Sequence, residues 1–310
     1  MSIEVVEPGV VTTVQDPFGR RDWRHVGVPA GGAADPWSAR LANRLVGNPD
    51  DAALLELTLA GPTLRFTEPA LVALVGKMAA TLDGLPLAPG AARVLRAGAQ
   101  LRIGEGRDAR AWLAIGGGLA VEPLLGSAST DLRSGFGGHE GRVLRAGDRL
   151  AHGTPLGSGF RWVGSQPTGP IRIVPGTHPG IEGLTEGTWR IGSEADRAGV
   201  RLDGAPLEAA SGEVASMGLP LGAIQVPPDG RPIVMLADRP VTGGYPVPAV
   251  VIGADIGRVA RLRPGDELRF ASASLEVARR ALRRATDELA ALEALDAPRD
   301  DELGWAGSHR

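Results

Sequence analysis

Asp238 and Arg239 stand side by side at the end of a continuous apolar run, Ile233 to Ala237, and lead directly into Thr242-Gly-Gly-Tyr245. An acid and a base delivered by a buried strand into a glycine turn form a pattern that can hold an anion. The strand fixes the charged groups, and paired glycines let backbone N–H groups come close. Arg239, Thr242, Gly243, Gly244 and Tyr245 are therefore candidates for binding phosphate or carboxylate, and Gln225 in the short strand just ahead is counted with them. A β-turn carrying a surface ion pair is the competing reading, and the segment alone leaves both open. Two histidines, His25 and His139, lie in glycine-rich loops beside carboxylates, where a general base could sit, although a hydrogen-bonded loop histidine is the commoner occupant of such a place. Thr130 and Asp131 with Arg133 could clamp an anion or simply form a polar turn before Leu132.

The elements that must position these groups are mostly strands. Ala223–Val226, the turn residues Pro227-Pro-Asp-Gly230 and the run to Ala237 read as a hairpin whose second strand is buried. Ser2–Val6 and Gly9–Val14 read as a hairpin or two successive strands, followed by a long loop that holds Asp16, Arg20, His25 and Asp35. A loop of that length and content is more often functional than decorative. Asp35 then caps a helix that has Pro36 at its first position and Gly47 as its stop. Leu54–Leu59 resumes strand, with Glu56 inside an apolar run, either on the polar face, which is the preferred reading, or buried and paired. Short strands continue at Leu71–Val75, Ala79–Leu82, Leu85–Leu87, Leu101–Ile103 and Ala111–Ile115.

Arg93-Val-Leu-Arg-Ala-Gly98 recurs as Arg142-Val-Leu-Arg-Ala-Gly147 and, degenerately, as Arg261-Leu-Arg-Pro-Gly265, each ahead of a short strand. The irregular spacing makes this a turn-and-strand module and not a solenoid repeat. Residues 157–170, rich in Gly, Ser and Pro, are expected to separate an N-terminal β-rich unit (1–163) from a C-terminal one (164–273). Gly176–Gly187 is expected to be a surface loop or short helix. Behind Ser274, the apolar spacing Leu275, Ala278, Leu282, Ala285, Leu289, Leu292 predicts a helix over 274–297 that packs back on the domain. The polar stretch 298–310 is expected to be disordered.

The composition closes off several functions. A formal net charge of -3 argues against nucleic acid or an anionic membrane as the main partner. With no cysteine, disulfides, thiolate catalysis and Cys-ligated metals are excluded. Met1–Pro8 lacks the basic and apolar regions of a signal peptide, and no stretch approaches the ~20 apolar residues of a membrane span, so a cytoplasmic protein is expected. Lys77, the only lysine, is not in a P-loop. Gly135–Gly141 does not spell the dinucleotide fingerprint, and no His-Glu-x-x-His occurs.

Thr12-Thr-Val-Gln-Asp16, Gly27-Val-Pro29, Ala42-Asn-Arg-Leu-Val-Gly-Asn48 and Gly61-Pro62 resemble the N-terminal half of one family. Leu125-Gly-Ser127, Ser129-Thr-Asp-Leu-Arg133 and Gly137-Gly-His-Glu-Gly141 extend that likeness. Gly222-Ala-Ile-Gln-Val-Pro-Pro-Asp-Gly230, Thr242-Gly-Gly-Tyr-Pro246 and Ala254-Asp255 resemble its C-terminal half. The family is the biotin-dependent carboxyltransferase-like group, which includes the C-type subunit of the ATP-dependent 5-oxoprolinase, the carboxyltransferase part of urea carboxylase, and the antagonist of a histidine-kinase inhibitor. The resemblance implies a mainly β protein with few helices: two cyclophilin-like β-barrel-type units plus a C-terminal helix. Three features depart from the pattern: Gly31 in place of serine, Arg261 in place of glutamine, and Thr177-His178 where glutamine is common.

For the oxoprolinase member the resemblance implies an enzyme active only in a complex with A-like and B-like (kinase-inhibitor-like) subunits, opening 5-oxoproline to glutamate with ATP. ATP and Mg²⁺ would be bound here or by a partner. The residue chemistry of such a site makes Asp16, Asp35, Asp131 and Asp238 candidates for metal or base, and His25 and His139 for proton transfer, with no metal ligand set defined. Asp16, Arg20, Thr130, Arg133 and Gln225 join Arg239 and its turn as candidate substrate or phosphate contacts. The alternatives are a carboxyltransferase acting on a urea-like amide, with carboxybiotin from a separate carrier because this chain has no Met-Lys-Met biotinylation site, and a non-catalytic regulator of a kinase-inhibitor protein.

Overall fold

The computed structural model describes residues 1–155, 157, 159–208 and 214–295; the stretch expected to be a disordered tail lies outside them. The chain forms two compact units. One comprises Met1–Gly19, Pro36–Gly164 and the segment starting at Leu289; the other comprises Arg20–Asp35 and Ser165–Glu288. Strands dominate, and their sheets curl, one into a half-barrel and the other into a nearly closed barrel, as expected of cyclophilin-like units.

In the first unit, β1 (Ser2–Glu7), β2 (Val11–Gln15), β3 (Leu54–Ala60), β4 (Thr63–Phe66) and β5 (Ala70–Val75) join β6 (Met78–Leu82), β7 (Leu85–Pro86), β8 (Ala92–Leu95), β9 (Gln100–Ile115) and β10 (Arg149–Ala151) in one sheet. β1 pairs with β4 and β10, whereas β2 pairs with β3, so the first two strands are successive elements and not a hairpin. Ile3, Val5, Leu55, Leu57, Leu64, Phe66 and Leu113 meet in the core on the inward face of these strands. Helix α1 (Pro36–Leu45) buries Leu41 and Leu45 and is followed by Gly47 at φ +73°, a backbone setting that suits glycine. β11 (Phe160–Trp162) completes the unit's strands in this part of the chain.

Two features of this unit differ from the sequence reading. Leu101–Ile103 and Ala111–Ile115 belong to one 16-residue strand, β9, whose first half pairs with β4 and β6 and whose second half pairs with β3 and β5. The intervening Gly104-Glu-Gly106 looks like a break in sequence but is a site of close approach. A Cβ on Gly106 would lie 2.0 Å from the Lys77 carbonyl oxygen. Glu56 is buried, not on a polar face: it is 1% exposed, and its Oε2 accepts the Trp112 indole N–H at 3.0 Å. The indole, buried on the adjacent strand, needs an acceptor, and the carboxylate meets that need.

The second unit contains β12 (Ile171–Pro175), β13 (Trp189–Ala195), β14 (Gly199–Asp203), β15 (Met217–Gly218), β16 (Ala223–Gln225), β17 (Ile233–Met235), β18 (Thr242–Gly243), β19 (Ala249–Val251), β20 (Glu267–Leu268) and β21 (Phe270–Ser272). The main sheet runs β20-β13-β14-β17-β16-β19-β12-β21, and β15 with β18 forms a separate ribbon. β16 and β17 form the expected hairpin, Ile224 opposite Val234 and Gln225 opposite Ile233. Its turn closes with the Gly230 N–H donating to the Pro227 carbonyl at 2.9 Å. The short helix α2 (Ile181–Glu186) occupies the stretch expected as a loop or short helix.

The recurring Arg-Ala/Pro-Gly module has one structure at all three places. Arg96, Arg145 and Arg263 each accept the N–H three residues on, at 3.1, 3.1 and 3.0 Å. The glycines between, Gly98, Gly147 and Gly265, sit at φ +81°, +89° and +91°, as a turn with positive φ at its third residue requires.

Helix α3 (Ile256–Ala260) follows β19, and the last helix, α4 (Leu275–Glu288), is shorter than its apolar spacing predicts. The Ser274 hydroxyl caps α4 through the Val277 N–H at 3.2 Å, but none of the helix residues is buried. Leu292 falls in a strand, β22 (Leu292–Ala294), paired with β11. An a/d stripe that is half alanine offers little apolar area, so a strand partner overrides the helical period.

Candidate functional site

The buried hairpin positions the first group of candidates. Val234 and Leu236 have no exposure, which fixes the backbone that leaves the sheet at Ala237. Asp238 turns to Arg197, whose Nε and Nη2 meet its two carboxylate oxygens at 2.8 and 2.9 Å, while Arg197 Nη2 also reaches the Gly32 carbonyl at 2.6 Å. This paired fork holds Asp238 by two charge-assisted hydrogen bonds within the second unit.

Arg239 has the opposite fate. It is 7% exposed and donates from Nε to the Leu219 carbonyl at 2.9 Å and from Nη1 to the Leu236 carbonyl at 3.3 Å. Among the described residues no carboxylate pairs with it. Burial, with repulsion from Arg24, pushes its guanidinium down to about 10 despite the opposing influence of Asp238. Arg24 comes from the 3₁₀ helix at Arg21–Val26 and donates through Nη2 to the same Leu219 carbonyl at 2.7 Å and to Val241 at 3.3 Å.

The glycine turn is built differently from the sequence expectation. Thr242 and Gly243 pair with Gly218 and Met217. Neither Gly243 nor Gly244 is among the glycines with positive φ. What demands glycine at 243 is contact: a Cβ there would lie 2.5 Å from Gln225 Nε2 and 2.8 Å from Leu219 Cδ1. At Gly244 the nearest atom would be the Val214 carbonyl oxygen at 3.8 Å, so a side chain fits. Gln225, 4% exposed, reaches the Tyr245 carbonyl at 3.5 Å; Thr242 is exposed and the Tyr245 side chain is 44% exposed. The fold thus brings Gln225, Arg239, Gly243 and the backbone of Tyr245 together around Leu219.

The sequence reading overlooked Arg24 and also His178. His178 Nδ1 accepts the Val247 N–H at 3.1 Å, which assigns the proton of the neutral ring to Nε2. Thr177 Oγ1 lies 2.9 Å from the same nitrogen and 3.5 Å from Met217 Sδ on the β15–β18 ribbon. The only signal for His178 in the sequence is its departure from the family's glutamine. Arg261, the other departure, lies 3.7 Å from the buried Asp35, and a Cβ on Gly257 would fall 2.1 Å from the Asp35 Cγ. Asp35 is thereby enclosed by α3, away from the Arg239 group in its contacts. Arg20 is 1% exposed, its N–H donating to the Ala30 carbonyl at 2.6 Å. His25 is exposed, with Nδ1 2.8 Å from the Asp22 carbonyl oxygen of its own turn.

In the first unit the candidates make the following contacts within the fold. Asp16 Oδ1 accepts the Phe18 and Gly19 N–H groups at 2.9 and 2.6 Å. Its Oδ2 accepts the Ser127 hydroxyl, the Ala128 N–H at 2.9 Å and the Ser129 hydroxyl at 3.1 Å. A carboxylate with five donors ties two loops together and has no face left for a substrate. Thr130 Oγ1 donates to the Val14 carbonyl at 2.9 Å beneath Gly138. Asp131 Oδ1 accepts the Arg133 and Ser134 N–H groups, both at 3.0 Å, while its buried Oδ2 has no partner among the described residues. Arg133 is exposed. His139 Nε2 is 3.5 Å from Asp148, whose carboxyl the Arg142 fork holds down at about 2. Among the described residues no three His, Asp or Glu side chains are grouped to hold a metal, and no helix is long and apolar enough to cross a membrane.

Two curled β units of this kind are those of a cyclophilin-like fold. The chain belongs to the family described as carboxyltransferase domain, subdomain A and B, which it matches over residues 26–272. It is 36% identical to the C-type subunit of 5-oxoprolinase from Escherichia coli, over 90% of this chain and 94% of that one. Among solved structures it is similar to TTHA0988, with a TM-score of 0.80 and 40% identity, covering 87% of this chain and about half (55%) of that one. The urea carboxylase of Kluyveromyces lactis superposes with a TM-score of 0.86 at 30% identity, over 97% of this chain and 30% of that one.

Proposed function

We propose that this chain is the carboxyltransferase-domain subunit of a 5-oxoprolinase, acting with A-like and B-like partner subunits to open 5-oxoproline to glutamate at the expense of ATP. The observation that carries this reading is the end-to-end likeness to a C-type 5-oxoprolinase subunit, 90% of one chain against 94% of the other. The geometry supports a division of labour. Arg239, Arg24 and Gln225 supply donors around Leu219, suited to holding and orienting a polar substrate. Asp16, Asp35 and Asp238 are each engaged within the fold.

The glycine loop 135–141 leads to no helix whose N-terminus could cradle phosphates. The nucleotide and its Mg²⁺ are therefore assigned to a partner, which would activate the lactam carbonyl while this chain holds the ring. A second reading, carboxyl transfer to a urea-like amide from a separate biotin carrier, is favoured by the close superposition on urea carboxylase.

Reconstitution separates the two. The purified chain should hydrolyse no ATP with 5-oxoproline, and addition of both partner subunits should produce 5-oxoproline-stimulated hydrolysis with glutamate as product. Turnover by the isolated chain would overturn the division of labour. A complete mixture that ignores 5-oxoproline but transfers carboxyl from carboxybiotin to urea would install the second reading.

A further inference from the structure

Two cations share one acceptor in the second unit. Arg24 Nη2 and Arg239 Nε both donate to the Leu219 carbonyl, at 2.7 and 2.9 Å. Neither forms an ion pair with a carboxylate among the described residues, and Asp238, the nearest acid in sequence, is occupied by Arg197. Like charges held together repel, and a guanidinium 7% exposed has little water to screen it. A fold that keeps such a pair assembled is prearranged for an anion, which would relieve both the burial and the repulsion.

The donors left over are guanidinium N–H groups, whose planar forks match a carboxylate or a phosphate. Three carbonyls, those of Leu219, Leu236 and Val241, already point at the pair. Their dipoles reduce its positive field and favour a monoanion over a phosphate dianion. The Leu219 N–H, spent on the Val241 carbonyl at 3.0 Å, is not available to a phosphate.

We propose that Arg24 and Arg239 form a carboxylate subsite, with Arg24 the specificity-determining residue that selects a small amide or lactam bearing a free carboxylate over a neutral one. This deepens the 5-oxoprolinase reading and rests on it for the choice of substrate. 5-Oxoproline carries the required carboxylate, whereas urea carries none. Arg24 is half-buried and lies on a short surface helix, so it can be changed without opening the core.

The test titrates the full-length chain with 5-oxoproline, 2-pyrrolidinone (the same lactam without the carboxylate), acetate and inorganic phosphate, followed by amide chemical shifts at Leu219, Val241 and Gly243. Saturable binding of 5-oxoproline is expected, with 2-pyrrolidinone and phosphate at least about tenfold weaker. Arg24→Gln should weaken 5-oxoproline about tenfold, the scale of one lost charge-assisted hydrogen bond, with an unchanged melting temperature; Arg24→Lys should fall between. Equal binding of 2-pyrrolidinone, tighter binding of phosphate, no saturable carboxylate binding, or an unchanged affinity in Arg24→Gln would each overturn the subsite. If acetate binds with the same dependence on Arg24 while 5-oxoproline does not, the subsite stands and the 5-oxoprolinase reading falls. If the reconstituted complex turns over 5-oxoproline and Arg24→Gln leaves its KM unchanged, the reading stands and the subsite falls.

Discussion

Asp255 lies in the Ala254-Asp255 stretch that resembles the family in sequence, and its surroundings let a structural role be told from a catalytic one. It has no exposure, and its carboxylate accepts the Arg172 backbone N–H at 2.8 Å, Nε at 2.8 Å and Nη2 at 2.7 Å, with Arg258 at 3.4 Å. Asp255→Asn keeps the shape but removes the charge and turns an N–H₂ group toward donors. Breaking a buried pair costs about 3–5 kcal/mol, and the Arg172 side chain, 29% exposed, keeps some water, so a loss near ~3 kcal/mol is expected. Urea denaturation followed by tryptophan fluorescence reads it as a lower midpoint at unchanged slope.

Acid gives a second reading. Burial alone would raise the Asp255 carboxyl, but the Arg172 hydrogen bonds, with the charges of Arg172 and Arg258, hold it below its ordinary value. A depressed carboxyl stabilises the fold above its unfolded pKa and loses that contribution as pH falls through the folded value. The native chain should therefore lose stability below pH ~4, and Asp255→Asn should lose less over the same window. A stability loss under ~1 kcal/mol together with abolished turnover of the reconstituted complex would refute the anchoring role and make Asp255 a substrate contact.

Gly243→Ala and Gly244→Ala should behave differently although the residues adjoin. The first must push Gln225 and Leu219 aside, at a cost of about 1–3 kcal/mol, and should raise the KM of the reconstituted complex; the second should leave stability and KM unchanged, and equal effects would dismiss the Gln225 contact. Glu56→Leu should cost about 1–3 kcal/mol in thermal or urea denaturation, because the buried Trp112 indole loses its acceptor; unchanged stability would show that the indole bond contributes nothing.

Elements whose cause is local were legible in the sequence. The Pro227–Gly230 turn, the start of α1 at Pro36 and the recurring Arg-Ala/Pro-Gly turn each follow from a few adjacent residues. Elements fixed by distant partners were not. β9 reads as two strands because Gly106 looks like punctuation until Lys77 is seen pressed against it. The predicted C-terminal helix gives way to β22 because Phe160–Trp162, over a hundred residues earlier, offers a strand partner. Among the candidate site residues, Asp16 is as polar in sequence as Asp131, yet Ser127 and Ser129 occupy Asp16, whereas an oxygen of Asp131 has no partner among the described residues.

The same limit explains why Arg24 went unnoticed while Asp238 drew attention. With a single lysine, arginine performs nearly every cationic task in this chain, so residue type no longer separates scaffold from site. Neutralisation separates them instead. Arg197 and Arg172 each grip a carboxylate through a fork, and the ion pair is complete within the fold. Among the described residues Arg239 and Arg24 donate only to carbonyl oxygens, which accept hydrogen bonds but carry no net charge. A buried cation left in that condition contributes nothing to stability that a neutral donor would not contribute more cheaply. Under the proposed carboxylate subsite, a ligand at the end of this rigid hairpin would bring the missing negative charge.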